Sequence, residues 1–420
     1  MTHCRLLVVS IVLAGFRPGG AGGEQPPKLP HAEAHAAGMD AARLDAIDGV
    51  VAEGLRQGRM PGCVVLVGRH GKVVFLRAYG YRQVEPDKAP MTTDTLFDLA
   101  SLTKPIATAT SVMRLVEQGS VALDDPVARH VPEFGRNGKQ HVTVEQLLLH
   151  QGGLVAANSL RDYRDGPEKA IERICELPLH VAPGTRFVYS DVGYIVLAEM
   201  VRRVAGCDLH AFSREQIFRP LGMAETGFLP SETRRRRAAT TQQRDGRWMQ
   251  GEVHDPRAHL LEGIAGHAGL FATAEDLAVY AQMLLGSGEY AGVRVLKPET
   301  VATMTTPRPV SSGRRALGWD VRTGYSSSRG ERLSERAFGH GGFTGTVLWI
   351  DPELDLFLVF LSNRVHPDGK GAVNPLAGKI AILAASAIDD SGGGASGGEA
   401  SDEDRRPIRT PAGTVPVSAP

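Results

Sequence analysis

Between Asp40 and Gly58 apolar residues recur at steps of three and four. Leu44, Ile47, Val51 and Leu55 fall on one face and predict an amphipathic helix. Two short β-like runs follow, Cys63–Arg69 and Val73–Tyr79, joined by the turn residues His70-Gly71-Lys72. The far end of the chain mirrors this. Thr346–Asp351 and Leu356–Asn363 are rich in β-branched and aromatic residues and meet at Pro352-Glu353, and Leu376 to Ile388 reads as a closing helix. Hairpins without crossover helices imply antiparallel pairing. The simplest assembly is one antiparallel sheet built from both chain ends, with the terminal helices covering it.

The middle of the chain is patterned as helix: Thr108–Glu117, Val144–Leu149, Val192–Val204, and Ala274–Leu285 behind a Thr273 cap. No internal repeat is visible. The expected fold class is therefore α+β, an antiparallel sheet flanked by terminal helices plus a mostly helical insert. The expected domain spans 24–389, with the sheet part at about 40–100 and 315–388 and the helical part at about 101–314.

The ends read differently. Residues 1–23 have the layout of a secretory signal: Arg5, an apolar run from Leu6 to Phe16, then Ala21-Gly22-Gly23. Export to the periplasm or the medium is expected. Residues 390–420 are rich in Gly, Ser and Pro and read as a disordered tail. No stretch reaches the 18 or so apolar residues that span a bilayer. Beyond the signal, Cys63, Cys175 and Cys207 stand too far apart for a disulfide scaffold or a zinc site. With 47 Lys+Arg against 47 Asp+Glu in 420 residues, the chain lacks a general electrostatic footprint for nucleic acid. The Arg234–Arg237 run reads as a solvated helix face, with attraction to anionic cell wall as the alternative.

Three segments carry chemistry. In Ser101-Leu102-Thr103-Lys104, Pro105 marks a helix start, so Ser101 sits near the positive end of a helix dipole and Lys104 lies on the same face. A partly desolvated Lys can activate a hydroxyl. The same tetrad also suits a simple cap beside a solvated Lys. Phe187-Val188-Tyr189-Ser190-Asp191 precedes a helix, and Phe338-Gly339-His340-Gly341-Gly342-Phe343 opens the last strand pair. Gaps of 88 and 151 residues separate Ser101, Tyr189 and His340.

Together these motifs resemble the serine β-lactamase and penicillin-binding protein superfamily, nearest to class C enzymes and related esterases. Its pattern is S-x-x-K, then Y-x-N, then K-T-G or H-x-G. The resemblance covers about residues 40–388. It implies Ser101 as nucleophile, Lys104 and Tyr189 as proton carriers, and the Ser101 and Phe343 N–H groups as oxyanion hole. Gly341 and Gly342 would let a substrate backbone approach the strand; His340, mostly neutral at pH 7, would bind a substrate carboxylate once protonated, favouring turnover of such substrates below neutrality. No cofactor and no metal are implied.

One position departs from the pattern. Asp191 stands where the family has Asn, and a carboxylate only accepts hydrogen bonds. It would hold Lys104 charged and shift work to Tyr189; it also suits an N-cap. His254, Asp255, His259 and His267 lack the spacing of a metal motif. His254, Asp255 and His267 read instead as parts of a Gly-rich loop bordering the cleft. The expected function is an exported serine hydrolase acting through an acyl-enzyme on a small molecule, a D-alanyl peptide from peptidoglycan or a small ester. The alternatives are β-lactam hydrolysis and a penicillin-binding sensor that never turns over.

Overall fold

The structure is a computed structural model that describes residues 26–389. The proposed signal segment and tail lie outside the described residues. The amphipathic run forms a helix over Ala41–Arg56, started by Asp40, whose carboxylate accepts from the N–H groups of Ala42 and Arg43. The strands are β1 (Gly62–Arg69), β2 (Lys72–Gln83), β3 (Ala89–Pro90), β4 (Arg308–Val310), β5 (Gly313–Arg315), β6 (Asp320–Arg322), β7 (Phe338–Gly342), β8 (Thr346–Asp351) and β9 (Leu356–Ser362). They form one nine-stranded sheet in the order β4-β5-β6-β7-β8-β9-β1-β2-β3. Every pairing is antiparallel. The two chain ends meet where β1 runs beside β9, Cys63 opposite Ser362.

Both faces of this sheet are buried, which explains why its central strands read as continuous apolar runs. Alternate residues serve two cores. Val65, Val67, Trp349, Leu358 and Phe360 pack under the terminal helices, Ala41–Arg56 and Asn374–Ser386. Val64, Leu66, Leu348, Ile350, Val359 and Leu361 face the other way into the core shared with residues 97–304.

The sheet starts earlier than the pattern suggested. Residues 308–314 fall in the expected helical part, yet with Arg315 they supply β4 and β5 at the edge next to β6. These strands are three residues each and carry Arg and Pro, so no alternation could announce them. The insert also holds small hairpins, such as Thr240–Arg244 with Arg247–Gln250. Its helices otherwise follow the pattern: Val144–Leu148 has a capping box of Thr143 and Gln146, and Thr273 caps Ala274–Leu285.

Trp349 is fully buried beneath the terminal helices, and its indole N–H donates to Ser328 Oγ at 3.1 Å. Trp349→Ala should lower unfolding free energy by about 3–5 kcal/mol, measured by denaturant titration of the folded chain.

Candidate active site

Ser101 lies in a single 3₁₀ turn, Ala100–Leu102, and Lys104 opens a π-helical stretch, Lys104–Ala109, that runs into the helix Thr110–Glu117. Wide turns of this kind concentrate at functional sites. The residue before Ser101 is held in a costly conformation: Ala100 has φ of 46°, the left-handed region that L side chains avoid. Two groups impose it. Ala100 N donates to Asp98 Oδ1 at 2.8 Å, and the other Asp98 oxygen accepts from His254 N at 2.7 Å. Burial pushes the Asp98 carboxyl up to about 6, against these two backbone donors.

The sheet edge clamps the same turn. Thr344 Oγ1 donates to the Asp98 carbonyl at 2.7 Å, and Thr346 Oγ1 to the Leu99 carbonyl at 2.9 Å. A Cβ on Gly342 would run into the Leu99 carbonyl and Thr346 Oγ1. The space at Gly342, expected for a substrate, is thus filled by the protein's own Ser101 turn. Gly341 differs: a Cβ there meets only the Thr346 carbonyl, at 3.9 Å, so its face is open. Phe343 follows at the turn between β7 and β8, its ring 60% exposed and stacked on His254 at 5.6 Å.

Lys104 is fully buried, and its ammonium has three acceptors: Ser101 Oγ at 3.0 Å, the His267 carbonyl at 3.1 Å and Asp191 Oδ1 at 2.7 Å. Burial alone would lower the Lys104 pKa, but Asp191 and Tyr189 outweigh it and hold the ammonium above its ordinary range. Burial pushes the Asp191 carboxyl up, but Lys104 and His267 prevail and bring it below the usual range. Asp191 is not the helix cap. Ser190 takes that place, its Oγ accepting from Gly193 N, which leaves the Asp191 carboxylate for Lys104. Nor does Ser101 cap a helix.

Tyr189 is half-buried, and its ring lies 4.8 Å from Lys104 Nζ. It is wedged between His150 at 4.4 Å and Tyr325 at 5.0 Å. Neither lies in one of the three motifs, so sequence reasoning gave them no role at the site, although the run ending in His150 before Gly152-Gly153-Leu154 also resembles the family. His150 Nδ1 accepts from Ser190 N and thereby ties the Tyr189 segment down. Tyr325 comes from the β6–β7 connection and is 58% exposed. His340 is also buried, its ring 5.9 Å from that of Tyr189. From the sequence, His340 is expected to be mostly neutral at pH 7 and to charge below neutrality; burial first, then Arg315 and Lys104, press its pKa well below the ordinary histidine value, which disfavours the charged form there too. A neutral ring offers no charge to a carboxylate.

His254, Asp255 and His267 separate in role. His254 bonds Gln242 Oε1 at 2.7 Å, and burial lowers its pKa to about 4. Asp255 caps the helix Pro256–Leu260, and its Oδ1 is 2.9 Å from His267 Nε2. Asp191, Asp255 and His267 each place one ligand-type atom within 4.8 Å of the others, a grouping that spacing along the chain did not reveal. The Lys104 ammonium already supplies positive charge there. The Arg234–Arg237 run is largely neutralised: Arg234 and Arg237 pair with Glu225, Arg236 with Glu232, and Arg237 also with Asp94. Cys63, Cys175 and Cys207 are free thiols.

The beta-lactamase family profile matches residues 47–381. The chain is 33% identical over 388 residues to an N-acetylmuramyl-L-alanine amidase of Bacillus subtilis, covering 82% of this chain and 86% of that protein. It is 32% identical over 381 residues to an Escherichia coli protein named "Putative D-alanyl-D-alanine carboxypeptidase", covering 81% and 86%. Among solved structures, a penicillin-binding protein homologue from Caulobacter crescentus superposes with a TM-score of 0.68 at 22% identity, covering 84% and 99%.

Two outcomes follow from this geometry. Gly342→Ala must displace the Ser101 turn and should lower turnover of an activated ester about 100-fold, as a shift near 1 Å does, whereas Gly341→Ala should keep the wild-type melting temperature. The Asp98 carboxyl is raised in the folded state, so its protonation stabilises the fold below about pH 6 and that contribution is lost as pH rises. Wild type minus Asp98→Asn should therefore lose up to about 3 kcal/mol of stability between pH 4 and 7, by denaturant titration at each pH.

Proposed function

The chain belongs to the serine β-lactamase and penicillin-binding protein superfamily and is a serine hydrolase, and from that premise we propose that it is exported and cleaves an amide bond of a peptidoglycan-derived peptide through an acyl-enzyme on Ser101. The observation that carries the site assignment is the Lys104 ammonium, buried and placed between Ser101 Oγ at 3.0 Å and Asp191 Oδ1 at 2.7 Å. Both relatives support the substrate class, since their names describe a muramyl-L-alanine amidase and a D-alanyl-D-alanine carboxypeptidase. The apolar run near the N-terminus supports export.

The chemistry runs in two halves. Ser101 Oγ attacks the substrate carbonyl, its proton moves through Lys104 and Tyr189 to the leaving amine, and the C–N bond breaks. Water then attacks the acyl carbon, the Oγ–C bond breaks, and the proton returns to Ser101. Phe343 N–H and Ser101 N–H would hold the carbonyl oxygen, since the Gly342–Leu99 contact brings the two turns together. Exposed Tyr325 and Phe343 offer apolar surface to the substrate. The neutral His340 leaves Gly341, with its open face, as the main strand contact.

A second reading has its own support. An ammonium held charged by Asp191 is a poor base, so β-lactam hydrolysis should be slow and a long-lived penicilloyl adduct would mark a sensor.

Intact-mass measurement with a fluorophosphonate and with a reporter penicillin separates these readings. One adduct per chain, absent in Ser101→Ala, is expected, with muropeptide cleavage falling by about 10⁴-fold or more in that variant. Muropeptide cleavage that persists in Ser101→Ala sinks the assignment. An adduct with no muropeptide turnover favours the sensor.

A further inference from the structure

His267 and Asp255 lie outside the roles assigned above, yet the fold carries both to the Lys104–Asp191 pair. The segment before His267 is locked in place. Thr108 Oγ1 donates to the Gly266 carbonyl at 2.7 Å, and any Cβ on Gly266 would collide with the Tyr194 carbonyl. The next residue, His267, gives its carbonyl to Lys104 Nζ. Its ring is 1% exposed, with Nε2 at 2.9 Å from Asp255 Oδ1 and Nδ1 without a partner. Asp255 is fixed in turn, accepting from Arg257 N at 2.9 Å and Ala258 N at 2.8 Å as the cap of its helix.

Charge balance gives this placement a meaning. Asp191 and Asp255, each half-buried, bring two carboxylates to the fully buried Lys104 ammonium and the buried His267 ring. Unmatched charge in such a place is costly. A His267 ring bearing both N–H protons would add a second positive charge beside them: Nε2 lies 2.9 Å from Asp255 Oδ1, and one ring nitrogen lies within 4.8 Å of both carboxylates. Asn at the Asp191 position would need no such partner.

We propose that His267, anchored on Asp255, is a positioning residue for the Lys104–Asp191 pair: it shares the Asp191 carboxylate with the Lys104 ammonium and so eases release of the Lys104 proton before Ser101 attacks. This rests on the reading that Ser101 and Lys104 carry out acyl transfer. The released proton passes to bulk water past half-buried Asp191, and the neutral amine then accepts the Ser101 hydroxyl proton as the Oγ–C bond forms. Other groups face the cluster: Tyr189, the buried rings of His150 and His340, Arg315, Tyr163 and Arg257 behind Asp255, and Asp98 beyond it. They are the same in every variant below, so differences isolate His267.

The test is the pre-steady-state acylation rate of the full chain with a p-nitrophenyl ester from pH 5 to 10, for wild type, His267→Gln, Asp191→Asn and the double variant. In His267→Gln the acid limb should move up by about one pH unit, about tenfold slower acylation below the limb, with KM nearly unchanged. In the Asp191→Asn background the same substitution should move the limb by less than half as much. A uniformly lower rate with an unmoved limb would reveal a merely structural role and overturn the proposal, as would equal shifts in both backgrounds. Because a buried substitution can impair folding, ¹⁵N imidazole NMR of the folded Ser101→Ala chain gives an independent reading. A His267 ring protonated on both nitrogens at pH 7 supports the proposal, and a singly protonated ring overturns it. One zinc ion per chain, bound by wild type and lost in His267→Gln, overturns it too. Acylation that persists in Ser101→Ala would instead remove the acyl-transfer reading itself.

Discussion

A buried ammonium 2.7 Å from a carboxylate and 3.0 Å from a serine hydroxyl is the constraint around which this structure is organised. Burying Lys104 without partners would cost several kcal/mol, and the fold spends three separate segments on avoiding that. Asp191 comes from the start of the helix Asp191–Ala205, the His267 carbonyl from the loop after Pro256–Leu260, and Ser101 from the turn before Lys104 itself. Each acceptor takes one N–H, so the three donors of the ammonium are all satisfied. Its charge is thereby favoured in the resting site, which sets the central problem for the proposed chemistry: the same contacts that make Lys104 tolerable in the core would oppose its use as a base.

The second organising contact lies where sheet and helical part meet. Gly342 lets the end of β7 press against the Leu99 carbonyl, while Thr344 and Thr346 bond the carbonyls of Asp98 and Leu99. The strained Ala100 is held by these bonds and by Asp98. Strain of this kind persists only where its surroundings over-determine it, and here the surroundings come from both parts of the chain. The Ser101 turn therefore has its position defined by residues about 240 positions further along.

Much of this was legible in the residue pattern. The helix Ala41–Arg56, the two terminal hairpins and the closing helix follow from local periodicity, because each buries a face or alternation that the sequence spells out. The three motifs located Ser101, Lys104, Tyr189 and His340 because their chemistry depends on short, fixed spacings. Strands β4 and β5 escaped because three-residue edge strands have no period to read. The contacts of His150, Tyr325 and Arg315 escaped for another reason: local sequence does not show what a residue touches across the fold.

The sequence by itself determined the fold class and the family and singled out the proposed reacting groups, since these rest on periodicity and on motif order. Only the tertiary structure decided their states. It pressed His340 further toward the neutral form by burying it near Arg315 and Lys104, gave the helix cap to Ser190 and left Asp191 for Lys104, and filled the space at Gly342 with the protein's own backbone. The physical reason is the same throughout. Ionisation and hydrogen bonding depend on burial and on neighbours a few ångströms away, and those neighbours are distant along the chain.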